Sequence, residues 1–115
     1  MKPLETNWAN GFPGEITICD PQGIIVEMND KAAESFKEDG GRALIGKNVL
    51  DCHDEASRSK LKQMLEKRQA NIYTIEKKGI KKLIYQTPLF SGNEYIGFAE
   101  LSVEIPFEMP HFVRG

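Results

Sequence analysis

Three runs in the last third of the chain most restrict what it can fold into. Ile72-Tyr73-Thr74-Ile75, Ile80 to Phe90, and Tyr95 to Ile105 are rich in β-branched and aromatic residues, with only Lys77-Lys78-Gly79 and Ser91-Gly92-Asn93 as turn signals between them. Connections that short join antiparallel neighbours, because a parallel crossover needs a dozen or more residues. An antiparallel meander is therefore expected here. In its last strand Gly97, Ala99, Leu101, Val103 and Ile105 share one face, and Ile96, Phe98, Glu100, Ser102 and Glu104 share the other.

Two more strands open the regular part of the chain. Glu15-Ile16-Thr17-Ile18-Cys19 runs into Asp20-Pro21-Gln22-Gly23, a turn with Pro at its favoured second position, and Ile24 to Met28 returns as a hairpin. Between the two β blocks the period changes. Asn29 or Asp30 caps a short helix with Ala32, Ala33 and Phe36 inward, and Asp39-Gly40-Gly41 ends it. Ala43-Leu44-Ile45-Gly46 forms a turn or a single helical turn, and Val49-Leu50 closes toward the core. A longer helix is expected from about Asp54 to Lys67, its apolar Leu61, Met64 and Leu65 spaced i, i+3, i+4. The order is β-β-α-α-α-β-β-β. Its economical solution is an α+β fold, a five-stranded antiparallel sheet with helices packed on one face.

A chain of 115 residues supplies one core. It is expected to divide into a leader at 1–13, a domain at 14–105 and a tail at 106–115. Phe107, Met109, Phe112 and Val113 give the tail an apolar density that suggests packing on the domain or on a second copy. If the chain is complete, any signal it carries must leave through its surface to another polypeptide.

With 40% hydrophobic and 28% charged residues, the chain has the makings of a folded domain. Its net charge of −2 gives no general attraction for nucleic acid or an acidic membrane. Placement is uneven, since nine basic and two acidic residues between Arg58 and Lys82 give that segment +7. It reads as a solvated helix face and a lysine-tipped hairpin, or as a docking surface for a partner. Cys19 and Cys52 make no disulfide framework, the N-terminus lacks an apolar targeting run, and no stretch reaches membrane-spanning length. A cytoplasmic protein with reduced thiols is expected.

Catalytic signatures are missing. The chain has no G-x-S-x-G elbow, no phosphate-binding loop and no dinucleotide fingerprint. His53 and His111 lie far apart, and the adjacent side chains of Cys52 and His53 diverge on a helix. Binding, not catalysis, is the expectation. If the long helix reached back to His53, Ser57 would lie about 40° and Met64 about 20° from it around the axis, so His53 would point at the same interior as Met64. His53 reads as a metal ligand, as a polar anchor for a small molecule, or as a helix-start residue satisfied by a backbone group. Cys52 reads either as a redox-active thiol at a helix N-terminus or as a small apolar core residue, and Cys19 reads as core.

The order of elements, with these residues, resembles a PAS domain. Ile16 to Ile25 followed by Asn29-Asp30-Lys31-Ala32-Ala33 is similar to the family's opening, Leu44-Ile45-Gly46-Lys47 to its turn before the long helix, and Tyr95-Ile96-Gly97-Phe98 to the start of its last strand. The exit differs: Glu104-Ile105-Pro106, with Pro110 beyond, replaces the family's usual passage into a helical linker. Asp51-Cys52-His53 with Ser57 resembles a Cys-His-x-x-x-Ser element of some bacterial and archaeal members. The resemblance implies a sensory module in signal transduction that binds a small molecule between the long helix and the sheet, acts through protein contacts and commonly dimerises.

It further implies candidate site residues His53, Cys52, Ser57 and Met64 around the long helix, and Tyr73, Tyr85 and Glu100 on strands that wall the pocket, with Gln86, Thr87 and Ser102 nearby. Which strand residues face inward depends on register, since a one-residue slip reverses the answer. Gly97 and Ala99 suit either space for a ligand or close packing of the helix. Haem is the cofactor the family suggests, held by His53 and non-covalently, because C-x-x-C-H is absent. The flavin subfamily's Asn-Cys-Arg-Phe-Leu-Gln run is also absent. A ligand-free dimerisation or adaptor module is the remaining alternative.

Overall fold

Hairpin geometry builds most of the sheet. The structure, a computed structural model, describes residues 8–115, with the side chain of Cys52 outside that description together with the first seven residues of the expected leader. Lys78 and Gly79 take φ of 54° and 77°, the left-handed pair that a two-residue hairpin loop requires, and Lys77 pairs with Ile80 across them. Strands β3 (Asn71–Lys77), β4 (Ile80–Ser91) and β5 (Glu94–Ile105) follow as the expected meander. Strands β1 (Glu15–Cys19) and β2 (Ile25–Met28) form the opening hairpin, and β1 pairs with β5. All pairings are antiparallel, in the order β2-β1-β5-β4-β3. The α+β fold and its five-stranded sheet are those expected.

Asn29 joins the parts. Its Oδ1 accepts from the backbone of Ala32 at 3.0 Å, capping helix α2 (Asp30–Ser35), and from Ile16 at 2.9 Å on β1. Its Nδ2 donates to the carbonyls of Ala9 at 2.9 Å and Gly14 at 2.8 Å. The full capacity of the amide is used, which is how a polar side chain only 3% exposed is tolerated. The Ala9 bond also ties down a short helix, α1 (Trp8–Gly11), from the end of the leader.

Helix α3 (Glu55–Lys67) lies over the sheet. Asp54 caps it, and Arg68 ends it in the left-handed conformation with φ of 55°. Met64 and Leu65 bury its last turns against Cys19 and Phe98, with Leu61, Val49 and Leu50 at the margin. A second cluster, Ile25, Met28, Ala32 and Leu44, fills the space under α2. Phe36, expected inward, is instead 41% exposed, because α2 ends at Ser35 and Phe36 begins a separate 3-10 turn. The tail touches its own domain where Lys81 Nζ donates to the Phe107 carbonyl at 3.4 Å, but its end does not pack there: Phe112 and Val113 are 70% and 91% exposed.

Register settles the two sheet faces. Cys19 stands opposite Phe98, Thr17 opposite Glu100, and Glu100 opposite Gln86. These residues, with Asn71 and Tyr73 of β3, share the face beneath α3. Gly97, Ala99, Leu101 and Val103 take the other face, so the small residues neither make room for a ligand nor seat the helix. Gly97 is small for a different reason: a Cβ there would lie 2.5 Å from the carbonyl oxygen of Cys19 on the neighbouring strand.

Candidate functional site: a cavity between the long helix and the sheet

Between α3 and the inner sheet face lies a cavity of about 460 Å³, within the range usual for small-molecule sites. Its walls differ in chemistry. Val49, Leu61, Met64 and Phe98 give an apolar side, while Thr17, Asn71, Tyr73, Gln86 and Glu100 place polar groups across the strands. His53, Ser57 and Lys60 stand at the exposed rim on the helix side.

The polar side is wired in one direction. Asn71 Nδ2 donates to Gln86 Oε1 at 3.0 Å, which leaves the Gln86 amide hydrogens for the carboxyl of Glu100. Glu100 reaches solvent through the cavity, yet protein surrounds its carboxyl on most sides. Burial therefore raises its pKa above the ordinary 4.5, against the lowering pull of the Gln86 bond and of nearby His53, while Glu15 adds to the rise. Burial also raises the Tyr73 hydroxyl, with the Glu100 charge as a second cause. No ion pair to Glu100 occurs among the described residues; the nearby Lys82 ammonium instead pairs with Glu15 at 3.3 Å.

The helix start shows what its unusual sequence does. Val49 to Cys52 forms a 3-10 turn, and His53 follows it in an extended conformation. The long helix thus begins after His53, and it is this turn that carries the imidazole to the cavity rim. His53 Nδ1 lies 2.7 Å from the Val49 carbonyl oxygen. A carbonyl only accepts, so Nδ1 carries the proton and Nε2 is left for a ligand. Ser57 lines the rim, but its backbone N–H at 2.9 Å and its hydroxyl both bond the Asp54 carboxylate. Those two bonds, first the backbone one, hold the Asp54 pKa below the usual 3.8. Ser57 therefore serves the helix cap.

The cavity gathers His53, Ser57, Met64, Tyr73 and Glu100 from the expected site residues. Tyr85 is not among them. It pairs with Ile72 and Leu101, one residue out of phase with Gln86, and so lies on the outer face, 40% exposed. Sequence reasoning missed Asn71, which only the register connects to Gln86, and Lys60 on the rim. Cys19 lines the apolar side with its thiol pushed up to about 11, first by burial and then by the Asp20 charge, so it is protonated at neutral pH.

Haem can be tested against these residues. His53 matches one requirement, a ring nitrogen fixed by a backbone carbonyl with the other free to ligate. The strand side does not match. Glu100, Gln86, Asn71, Tyr73 and Thr17 would face an apolar macrocycle with hydrogen-bonding groups, Glu100 among them already strained by desolvation. No group of three or more His, Cys, Asp or Glu side chains that would hold a metal ion occurs among the described residues.

No protein-family profile matches the chain, and no curated protein matches it. Solved structures do. The Aer2 receptor of Vibrio cholerae, described as a dual PAS-heme oxygen sensor, matches with a TM-score of 0.62 at 18% identity over 85% of this chain and 99% of that one. The fold is PAS-like. The PAS domain of BvgS from Bordetella pertussis matches with a TM-score of 0.60 at 21% identity, over 84% of this chain and 80% of its own. A sensory box sensor histidine kinase from Vibrio cholerae matches at 0.59 and 17% identity, over 82% and 83% of the two chains. The PAS-like scaffold accounts for the opening hairpin, the long helix and the meander. The content of the cavity is this chain's own. Among the described residues no helix is long and apolar enough to cross a membrane.

Proposed function

We propose that the protein is a sensory module of signal transduction that binds a small molecule between α3 and the sheet. One observation carries this reading: a cavity of about 460 Å³ with an apolar side facing a hydrogen-bonded set of strand side chains. Such a combination gives a ligand both burial and orientation. The PAS-like fold and its sensor and receptor neighbours support the same reading. In this reading the protein binds and does not catalyse, and the buried Cys19 thiol stays protonated on the cavity wall.

The signal leaves through α3. Its last turn is held to the sheet by the Tyr95 hydroxyl, which donates to the Leu65 carbonyl at 3.2 Å, and by Arg68, 4.8 Å above the Tyr95 ring. Its first turns carry the exposed rim residues Ser57 and Lys60. A ligand that favours one seating of those turns shifts the population of that state, and the shift is read by a protein partner or a second copy. The apolar outer face, with Ile72 and Tyr85 exposed, and the uncovered tail are the surfaces offered to it. Neither nucleic acid nor membrane has a part in this reading, and the protein acts in the cytoplasm.

The test is a mass spectrum of the protein extracted under native conditions, beside its Leu61→Trp variant, whose indole fills the cavity from the half-buried helix face. A small molecule retained by the wild type and absent from the folded variant supports the proposal. Retention of the same molecule by both, or no retained molecule and no stabilisation by any metabolite, contradicts it.

A further inference from the structure

Among the described residues the cavity's lining carries a single carboxylate, Glu100, and this restricts what it can hold. Glu100 presents a carboxylate at mid-strand, oriented by the Asn71–Gln86 bond at 3.0 Å. His53, its Nδ1 turned to the Val49 carbonyl at 2.7 Å, leaves Nε2 for the cavity. The groups that face Glu100 are the Gln86 amide from β4, Tyr73 from β3, Glu15 and Cys19 from β1 and His53 from the turn before α3, and none pairs with it as a salt bridge among the described residues. Lys60, on the rim, is the one lysine that lines the cavity among the described residues.

Resting on the proposed small-molecule site, we infer that its ligand is an organic cation: a flat or aliphatic apolar body seated against Met64, Leu61 and Phe98, carrying one N–H-bearing positive group that seats on Glu100. A carboxylate on the cavity wall with no ion-pair partner among the described residues bonds a cationic N–H group more strongly than a neutral donor, and repels an anion. An anionic ligand would add its charge to Glu100 and Glu15. A dication would bring its second charge toward Lys60. The monocation alone satisfies both ends of the cavity.

Benzamidine, benzamide and benzoate share one shape and carry charges of opposite sign or none, so calorimetric titration with these three separates charge from fit. The wild type binds benzamidine at least about tenfold more tightly than benzamide, a difference of about 1.4 kcal/mol, and does not bind benzoate. Glu100→Gln removes that preference. Wild-type affinity for benzamidine also falls as the pH drops through the Glu100 titration, a readout that needs no variant. Equal or tighter binding of benzamide or benzoate overturns the inference, as does a preference that survives in Glu100→Gln. So does failure of all three to bind below about 10 mM, where affinity falls under about 3 kcal/mol. A natively retained anion or neutral lipid, lost in Leu61→Trp, overturns the cationic class while leaving the cavity proposal standing. Loss of neither molecule in that variant removes both.

Discussion

Asn71 donates from Nδ2 to Gln86 Oε1 at 3.0 Å, and that bond decides which end of the Gln86 amide faces Glu100. Freed from Asn71, the amide can turn its oxygen toward the carboxylate. Asn71→Ala and Gln86→Leu are therefore both expected to raise the Glu100 pKa further, Gln86→Leu by more because the donor itself is lost. Carbon-13 titration of the Glu100 carboxyl by NMR reads the shift; a pKa unchanged or lowered in Gln86→Leu contradicts the assigned bond.

Burial holds the Glu100 proton more tightly in the folded chain than in the unfolded one, where its value is near 4.5. Raising the pH through that value and on through the higher folded one therefore removes stability. Below both values the penalty is absent. Glu100→Gln, which carries no charge to desolvate, should melt above the wild type at about pH 7 and lose that advantage by about pH 4. An advantage of the same size at both pH values would show that the carboxyl is not the cause.

Gly97 is fixed by its neighbour's backbone. A methyl group 2.5 Å from the Cys19 carbonyl oxygen requires β1 and β5 to separate, since backbone cannot rotate away as a side chain can. Gly97→Ala is expected to cost about 1–3 kcal/mol by chemical denaturation, the range for overpacking. A cost below about 0.5 kcal/mol would mean that the strands yield freely.

At Asn29 the amide bonds four backbone groups from β1, α1, α2 and the Gly14 bend. Asn29→Ala strands buried donors and acceptors, each costing about 1–3 kcal/mol, so a loss of about 2–4 kcal/mol is expected. Asn29→Asp keeps the cap acceptor but sets a carboxylate against the carbonyls of Ala9 and Gly14. It should recover less than half of the loss, as equilibrium unfolding in urea would show.

Much of this was legible in the residues. The short turns of the last third dictated the meander, the Asn29-Asp30 pair announced its helix as a cap, and the long helix was expected to start at about Asp54, the residue that caps it. What was not legible was phase. Tyr73 and Tyr85 look alike in sequence, yet Tyr73 stands opposite Ile84 and Tyr85 opposite Ile72, which puts one beneath α3 and the other outside. Composition does not encode that pairing; the two-residue loop at Lys78-Gly79 does, and it is read only once the loop length is known. His53 misled differently. Helical angles placed it beside Met64, whereas a 3-10 turn ending at Cys52 brings it to the same cavity from outside the helix.

The central claim, that the space between α3 and the sheet is where this protein receives its ligand, is tested most directly by amide NMR during a benzamidine titration. The account predicts saturable shifts at Thr17, Asn71, Gln86, Phe98 and Glu100 and along the first turns of α3, with Ile72 and Tyr85 on the outer face still. Shifts confined to that outer face or to the hairpin lysines Lys77, Lys78 and Lys81, with the cavity residues silent, would contradict it.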